Sequence, residues 1–496
     1  MRNRRDKAGA RPLRRTARAA SAALGCALLA LPAPVLAQSA AIATDSSAAS
    51  DPYGGTDIAA MPASAKPPAS KAPASVTTEV GDTPLRFDGE TSGSILDEDM
   101  RRINTRETGI DGLKARQYAD REEAEGVPVG SFTLRPSINQ SYNVENQRTG
   151  NDRQDRTFLQ TDLRSTLTSD WSRHALTISG DGVWQQNVSG TGEEQPTVNL
   201  DADLRLDLPA DTTAHLTAGY RFYREDTNDP NAIAGAQQQS GVNEYDAGAS
   251  VTRDFGLLRG TTAITLARTL YSDAVLSNGT AVSLSDRDQT AGTWRGRIGY
   301  EMSPALIPFV EADLGRVLYD DEFDSSGYAR SNHAYAGKAG VEFDFGEKLR
   351  GELGIGYQHV EFQDARLASI DSPTIDGTLA WSPRRGTNVD IGVSTSVEPS
   401  TTAGESGYVA YQLTATLSQE VRENLLAKLT GGTTWRDYPS TSLYGDETVY
   451  DAAFGLTWGI NRYLDMTGNV GYELTTRDGG EDTQQLRAGV GLTARR

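Results

Sequence analysis

Residues 450–474, "YDAAFGLTWGINRYLDMTGNVGYEL", alternate between apolar and polar side chains over two long runs. Tyr450, Ala452, Phe454, Leu456, Trp458 and Ile460 hold the even positions of the first run. Leu464, Met466, Val470, Tyr472 and Leu474 hold those of the second. Asp451, Thr457, Asp465, Asn469 and Glu473 fall on odd positions, and only Asn461-Arg462-Tyr463 breaks the rhythm. A period of two is that of a pleated strand with chemically different faces. The stretch therefore predicts a hairpin with one greasy side and one wet side.

The same division recurs. Val198, Leu200, Ala202, Leu204, Leu206 and Leu208 alternate with Asn199, Asp201, Asp203, Arg205 and Asp207. From Gly130 onward, alternating segments follow one another from 131–146 to 482–495, about 18 in all, with 16 as the neighbouring even count. Short connections such as Ser172-Arg173, Pro209-Ala210, Ser303-Pro304 and Gly346-Glu347 take turns with longer polar ones such as "QRTGNDRQD" and "TNDPNAIAGAQQQSG". Soluble strands usually end after about 5–6 residues, whereas a tilted strand needs about 9–11 to cross a bilayer. The 367 residues from 130 to 496 allow about 20 per strand and connection. An even number of strands closes an antiparallel barrel and pairs every backbone group, which hydrocarbon demands. The predicted fold is all-β, a transmembrane antiparallel up-and-down β-barrel. Trp171, Tyr245, Trp381, Trp435, Trp458 and Tyr472 are placed to form its interfacial girdles. A soluble propeller or β-solenoid would repeat a motif, and none repeats here.

The preceding residues are of another kind. Residues 1–37 combine basic residues with the apolar run "AASAALGCALLALPAPVLA" and end on Val35-Leu36-Ala37, an export-signal pattern. A lipoprotein reading would use Cys26, but the apolar run continues past it, and Arg14-Arg15 fits a twin-arginine signal poorly. Residues 38–94 are rich in Ala, Ser and Pro and read as a disordered linker. Residues 95–129 are charged, with Ile95, Leu96, Met100 and Ile103 at rough helical spacing. They predict a partly helical periplasmic segment, either a solvated tether or a plug.

Charge narrows the function. Eight of the 48 basic residues but only Asp6 of the 67 acidic ones precede residue 38, so signal removal would move the net charge from −19 to −26. That opposes nucleic-acid binding. No HExxH, GxSxG or phosphate-binding loop follows residue 37, and His174, His215, His333 and His359 are scattered. The reading is non-enzymatic, with no cofactor. The acidic run Asp320-Asp321-Glu322-Phe323-Asp324 is either a divalent-cation loop or simply solvated.

The inward positions carry both signs of charge. Register read from the Ser303-Pro304 turn places Arg297 opposite Glu311 and Arg295 opposite Asp313. From the Gly346-Glu347 turn it places Asp344 opposite Lys348 and Glu342 opposite Arg350. With Lys338 and Glu352, these are the candidate lumen-lining residues. They either line and constrict a pore, setting its ion selectivity, or form a solvated inner wall.

The stretch "VPVGSFTLRPSINQSYNVEN" (127–146), with Gly130-Ser131-Phe132-Thr133-Leu134-Arg135-Pro136 after a charged lead-in, resembles the opening of the outer-membrane β-barrel porins of Gram-negative bacteria. The hairpin "GLTWGINRYLDMTGNVGYEL" resembles that family's last strands, so the resemblance spans about residues 95–496. It implies a barrel in the cell outer membrane with a tethered N-terminal extension, in contact with lipid and with the barrel-assembly machinery. One departure is the ending "LRAGVGLTARR", with Arg496 where such barrels usually carry an aromatic residue. The expected function is a porin-like charged pathway for small polar solutes. A component of surface polysaccharide export and a structural or adhesive barrel with a closed lumen are the alternatives, and homo-oligomerisation stays open.

Overall fold

The computed structural model describes residues 125–190, 192–226, 230–439, 442 and 445–496. The expected signal (1–37), the linker (38–94) and the charged, partly helical segment (95–129) up to residue 124 lie outside the described residues. Eighteen long strands make the wall. The first six are β1 (Phe132–Thr149), β2 (Asp152–Ser169), β3 (Ala175–Gly190), β4 (Thr197–Leu208), β5 (Thr212–Arg224) and β6 (Gly241–Asp254). Next come β7 (Leu258–Tyr271), β8 (Gln289–Tyr300), β9 (Leu306–Tyr319), β10 (Asn332–Asp344), β11 (Leu349–Phe362) and β12 (Ile370–Arg384). The last six are β13 (Thr387–Pro399), β14 (Gly407–Arg422), β15 (Leu425–Asp437), β16 (Glu447–Asn461), β17 (Leu464–Arg477) and β18 (Thr483–Arg495). Each pairs antiparallel with its neighbours in sequence, and β1 pairs with β18 from Ser137↔Arg495 to Thr149↔Thr483. The ring is closed, which removes the exposed edges of an open sheet.

Side-chain alternation assigns the two faces. Ile355 is 61% exposed on β11 with Tyr357 beside it, while Gly356 and Gln358 point the other way. Val310 and Leu314 on β9 are exposed, whereas Glu311 and Asp313 between them are buried. All six expected girdle aromatics are exposed. The apolar residues thus face outward and the polar ones inward, the reverse of a soluble core, as a barrel in lipid requires.

The connections at one rim are short and those at the other longer. Two differ from the sequence reading. The segment 147–155 is not a loop: β1 runs to Thr149, β2 starts at Asp152, and Gly150 turns between them at φ 57°. Short strands at Ala236–Gln238, Ala274–Leu276 and Ala281–Val282 build a small separate sheet on the connections after β5 and β7. Another short strand, Val127–Val129, folds back on the start of β1.

Candidate functional site

The inner faces of β8 to β12 carry a packed ladder of charge. Arg295 stands opposite Asp313 and Arg297 opposite Glu311. Arg295 Nε donates to Asp313 Oδ1 at 2.6 Å, and Arg297 Nε donates to Glu311 Oε2 at 2.6 Å. Glu311 bridges both guanidinium groups, with its second oxygen 3.4 Å from Arg295 Nε. Arg297 also reaches Glu352 at 2.9 Å, and its guanidinium lies 4.1 Å above the Phe309 ring. Lys338 Nζ is 2.6 Å from Asp376 Oδ2 and 3.8 Å from Asp313 Oδ2. Towards the short-turn rim, Arg259 is paired with Glu301 and approaches Glu342 at 3.8 Å.

These groups are packed together, not spread around the wall. The Glu311 side chain is only 1% exposed. Away from bulk water, ion pairs are screened less and unpaired charges cost more. Backbone geometry makes the packing possible. Lys338 is opposite Gly356 on β11, which in turn faces Thr374 on β12. With no side chain at Gly356, Lys338 can cross β11 to Asp376. A Cβ there would lie 2.7 Å from Lys338 Cγ and 2.2 Å from the Gly337 carbonyl oxygen. Gly356→Ala is expected to lower stability by about 1–3 kcal/mol through this overpacking. The urea midpoint of the lipid-inserted protein measures it, and an unshifted midpoint would mean that the crossing has slack.

The second expected hairpin has a different register. Asp344 pairs with Arg350 and Glu342 with Glu352, two residues from the positions read from sequence. The turn is a 3₁₀ segment at Gly346–Lys348, closed by the Phe345 N–H donating to the Leu349 carbonyl. It is wider than the assumed two-residue turn, so Lys348 lies in the turn and not opposite Asp344. The Asp344 carboxylate caps the Gly346 N–H at 2.8 Å. Lys348 and Arg350 make no ion pair among the described residues.

Asp376, Arg259, Glu301 and Phe309 belong to the cluster and were not singled out from the sequence. Their inward parity was visible, but contacts that skip a strand are not. A second cluster lies on β1, β2 and β18, where Arg156 pairs with Glu145 at 2.7 Å, and Arg156 and Arg487 flank the Phe158 ring at 4.3 and 4.9 Å. Nearer the start of β1, uncharged side chains take over: Asn139 donates to Thr467 on β17 and Thr493 on β18, and Asn143 to Ser141.

The acidic run at 320–324 does not converge. Asp320 is held by Arg268 at 2.5 Å and Asp324 by Arg330 at 2.5 Å. Among the described residues no group of His, Cys, Asp and Glu is arranged to hold a metal ion. His215 bonds Asp203, and His359 bonds Asp371.

The family model described as putative beta-barrel porin 2 matches residues 121–496. No curated protein matches the chain. Among solved structures, the outer membrane protein OpdK of Pseudomonas aeruginosa is similar at 12% identity, over 73% of this chain and 99% of that one, with a TM-score of 0.39. OccK2 (OpdF) of the same organism aligns at 8% identity over 73% and 98%, with a TM-score of 0.39. The ferric enterobactin receptor PfeA, in a mutant form, aligns at 7% identity over 72% and 80%, with a TM-score of 0.38.

Proposed function

Because the chain belongs to the putative beta-barrel porin 2 family, as a porin-like barrel of the outer membrane, we propose that its lumen is a charged aqueous pathway for small polar solutes. The observation that carries this reading is the inner face. A closed ring of 18 strands encloses polar and ionised side chains on all sides. A ring of 16–18 strands is wide enough to hold an aqueous channel. The β7–β12 wall sets Arg259, Arg295, Arg297 and Lys338 against Glu301, Glu311, Asp313, Glu342, Glu352 and Asp376. Acid outnumbers base there, which favours cations over anions. The candidate residues Arg295, Arg297, Glu311, Asp313, Lys338, Glu342, Glu352, Asp344, Lys348 and Arg350 serve this reading unequally. The first seven form the charged wall, whereas the last three belong to the rim.

Reversal potential across a planar bilayer under a salt gradient tests the assignment. Arg295→Gln with Arg297→Gln removes two positive charges and is expected to shift selectivity further towards cations. Conductance with an unchanged reversal potential would place the route away from this wall. Silence of the inserted wild type would favour the closed-lumen alternative.

A further inference from the structure

The wall has a seam between β12 and β13. On β12, backbone pairing with β11 continues to Ile370, and on β13 pairing with β14 continues to Pro399. Between β12 and β13, however, the ladder stops at Gly377↔Val393. Beyond that level side chains close the gap. The Thr395 hydroxyl accepts from the Ile375 N–H at 2.9 Å and donates to the Ile375 carbonyl at 3.0 Å. The Thr395 N–H donates to Asp376 Oδ1 at 3.1 Å, and the Tyr411 hydroxyl donates to the Pro373 carbonyl at 3.2 Å. Pro373 has no N–H to leave unpaired, the usual reason for proline on a strand edge.

Parity shows where the freed strands go. Val397 and Val409 are partners across β13 and β14, on the same face as the outward pair Val393 and Leu413. Leu413 is 45% exposed, but Val409 only 5%. Val409, with Val397 beside it, packs on Val360, Phe362 and Ile370, which belong to the inward faces of β11 and β12, and on Leu367. The outward face of one hairpin can touch the inward face of its neighbours only if that hairpin has bent inside the ring.

Two contacts hold its tip. Arg330, 4% exposed on the β9–β10 connection, donates to the carbonyls of Ser400, Thr402 and Glu405 and to the Asp324 carboxylate. Burial pushes the Asp324 carboxyl up, but the Tyr328 N–H and the Arg330 guanidinium outweigh it and hold it below its usual range. From the opposite side Asn231, on the β5–β6 connection, accepts from the Thr401 N–H at 3.0 Å and donates to the Pro399 carbonyl at 3.2 Å. The β5–β6 and β13–β14 connections spring from places eight strands apart in a ring of 18. Such a ring is roughly 35 Å across, so their meeting spans the mouth.

We propose that the upper halves of β13 and β14 form an internal flap that sets the aperture of the pathway, with Arg330 and Asn231 as the positioning residues that hold it in the mouth. This rests on the lumen being a solute pathway. The flap fixes the largest solute that enters, and its release widens the opening.

Swelling of liposomes containing the full chain, in neutral sugars of increasing size, tests it. Arg330→Ala is expected to raise the size limit and speed entry of the larger sugars several-fold. Cross-linking Asn231→Cys to Thr401→Cys in that variant, with Cys26→Ser, is expected to restore the wild-type limit, and reduction to release it again. The same cross-link without Arg330→Ala decides the matter if that variant fails to insert, since it must slow the larger sugars relative to the reduced form. An unchanged limit in an inserted Arg330→Ala barrel, or a cross-link without effect, overturns the flap while leaving the pathway standing. No sugar entry through any form overturns both.

Discussion

Glu311→Ala is expected to destabilise the folded barrel by about 3–5 kcal/mol, the range for removing one partner from a buried ion-pair cluster. Glu311 is the shared partner of Arg295 and Arg297, both of which have little access to water. Truncation removes the carboxylate from both and leaves a space that a small methyl cannot fill. Arg295 retains Asp313 and Arg297 retains Glu352, which places the loss towards the lower end of that range. Glu311→Gln keeps the shape and one acceptor, so its loss should be clearly smaller. Reversible urea unfolding in lipid vesicles, followed by tryptophan fluorescence, measures both variants. Equal midpoints for wild type and Glu311→Ala would mean that water reaches the cluster freely, and the packed-wall description would fall.

The second large effect lies on the other face. Ile355→Arg is expected to cost about 2–4 kcal/mol, the penalty measured for arginine at mid-depth on a lipid-facing barrel wall. Ile355 sits among Ala339 and Ile375 in one outward row. Its side chain has no neighbouring carboxylate and no turn nearby through which to reach water. Gln412→Arg, on the inner face of β14, serves as the control and is expected to change stability little. The pair is read in the same unfolding assay. If both variants behave alike, the apolar face does not meet hydrocarbon and the membrane orientation of the strands is wrong.

Much of the fold was legible because alternation is a local property. The hairpin at 450–474 shows its two faces residue by residue, and the structure pairs Trp458 with Met466 and Tyr450 with Leu474 on the outer one. Register was legible only where the turn was short. The Ser303-Pro304 turn gave Arg295 opposite Asp313, but a 3₁₀ segment shifted the next hairpin by two residues. The segment 147–155 looked like a loop because Arg, Asn, Asp and Gln dominate it, yet two neighbouring strands supply enough pairing to override its weak strand propensity. The Lys338–Asp376 contact was hidden because it depends on the empty space above Gly356. The seam was hidden for a different reason. Alternation continues unbroken through β12 and β13 whether or not they are paired, and Pro373 and Pro399 were the only local marks of it.

The seam also changes what mutation can do to this wall. Along the paired ladders the ring is held by peptide groups, which every residue except proline supplies in the same form, so side-chain substitution there leaves the connections themselves intact. Between Ile375 and Thr395, and between Pro373 and Tyr411, the connection passes through hydroxyls. A single codon change can delete either one. At this line the continuity of the wall is heritable in the ordinary sense, open to variation and selection, while the paired ladders are fixed by the chemistry common to all polypeptides.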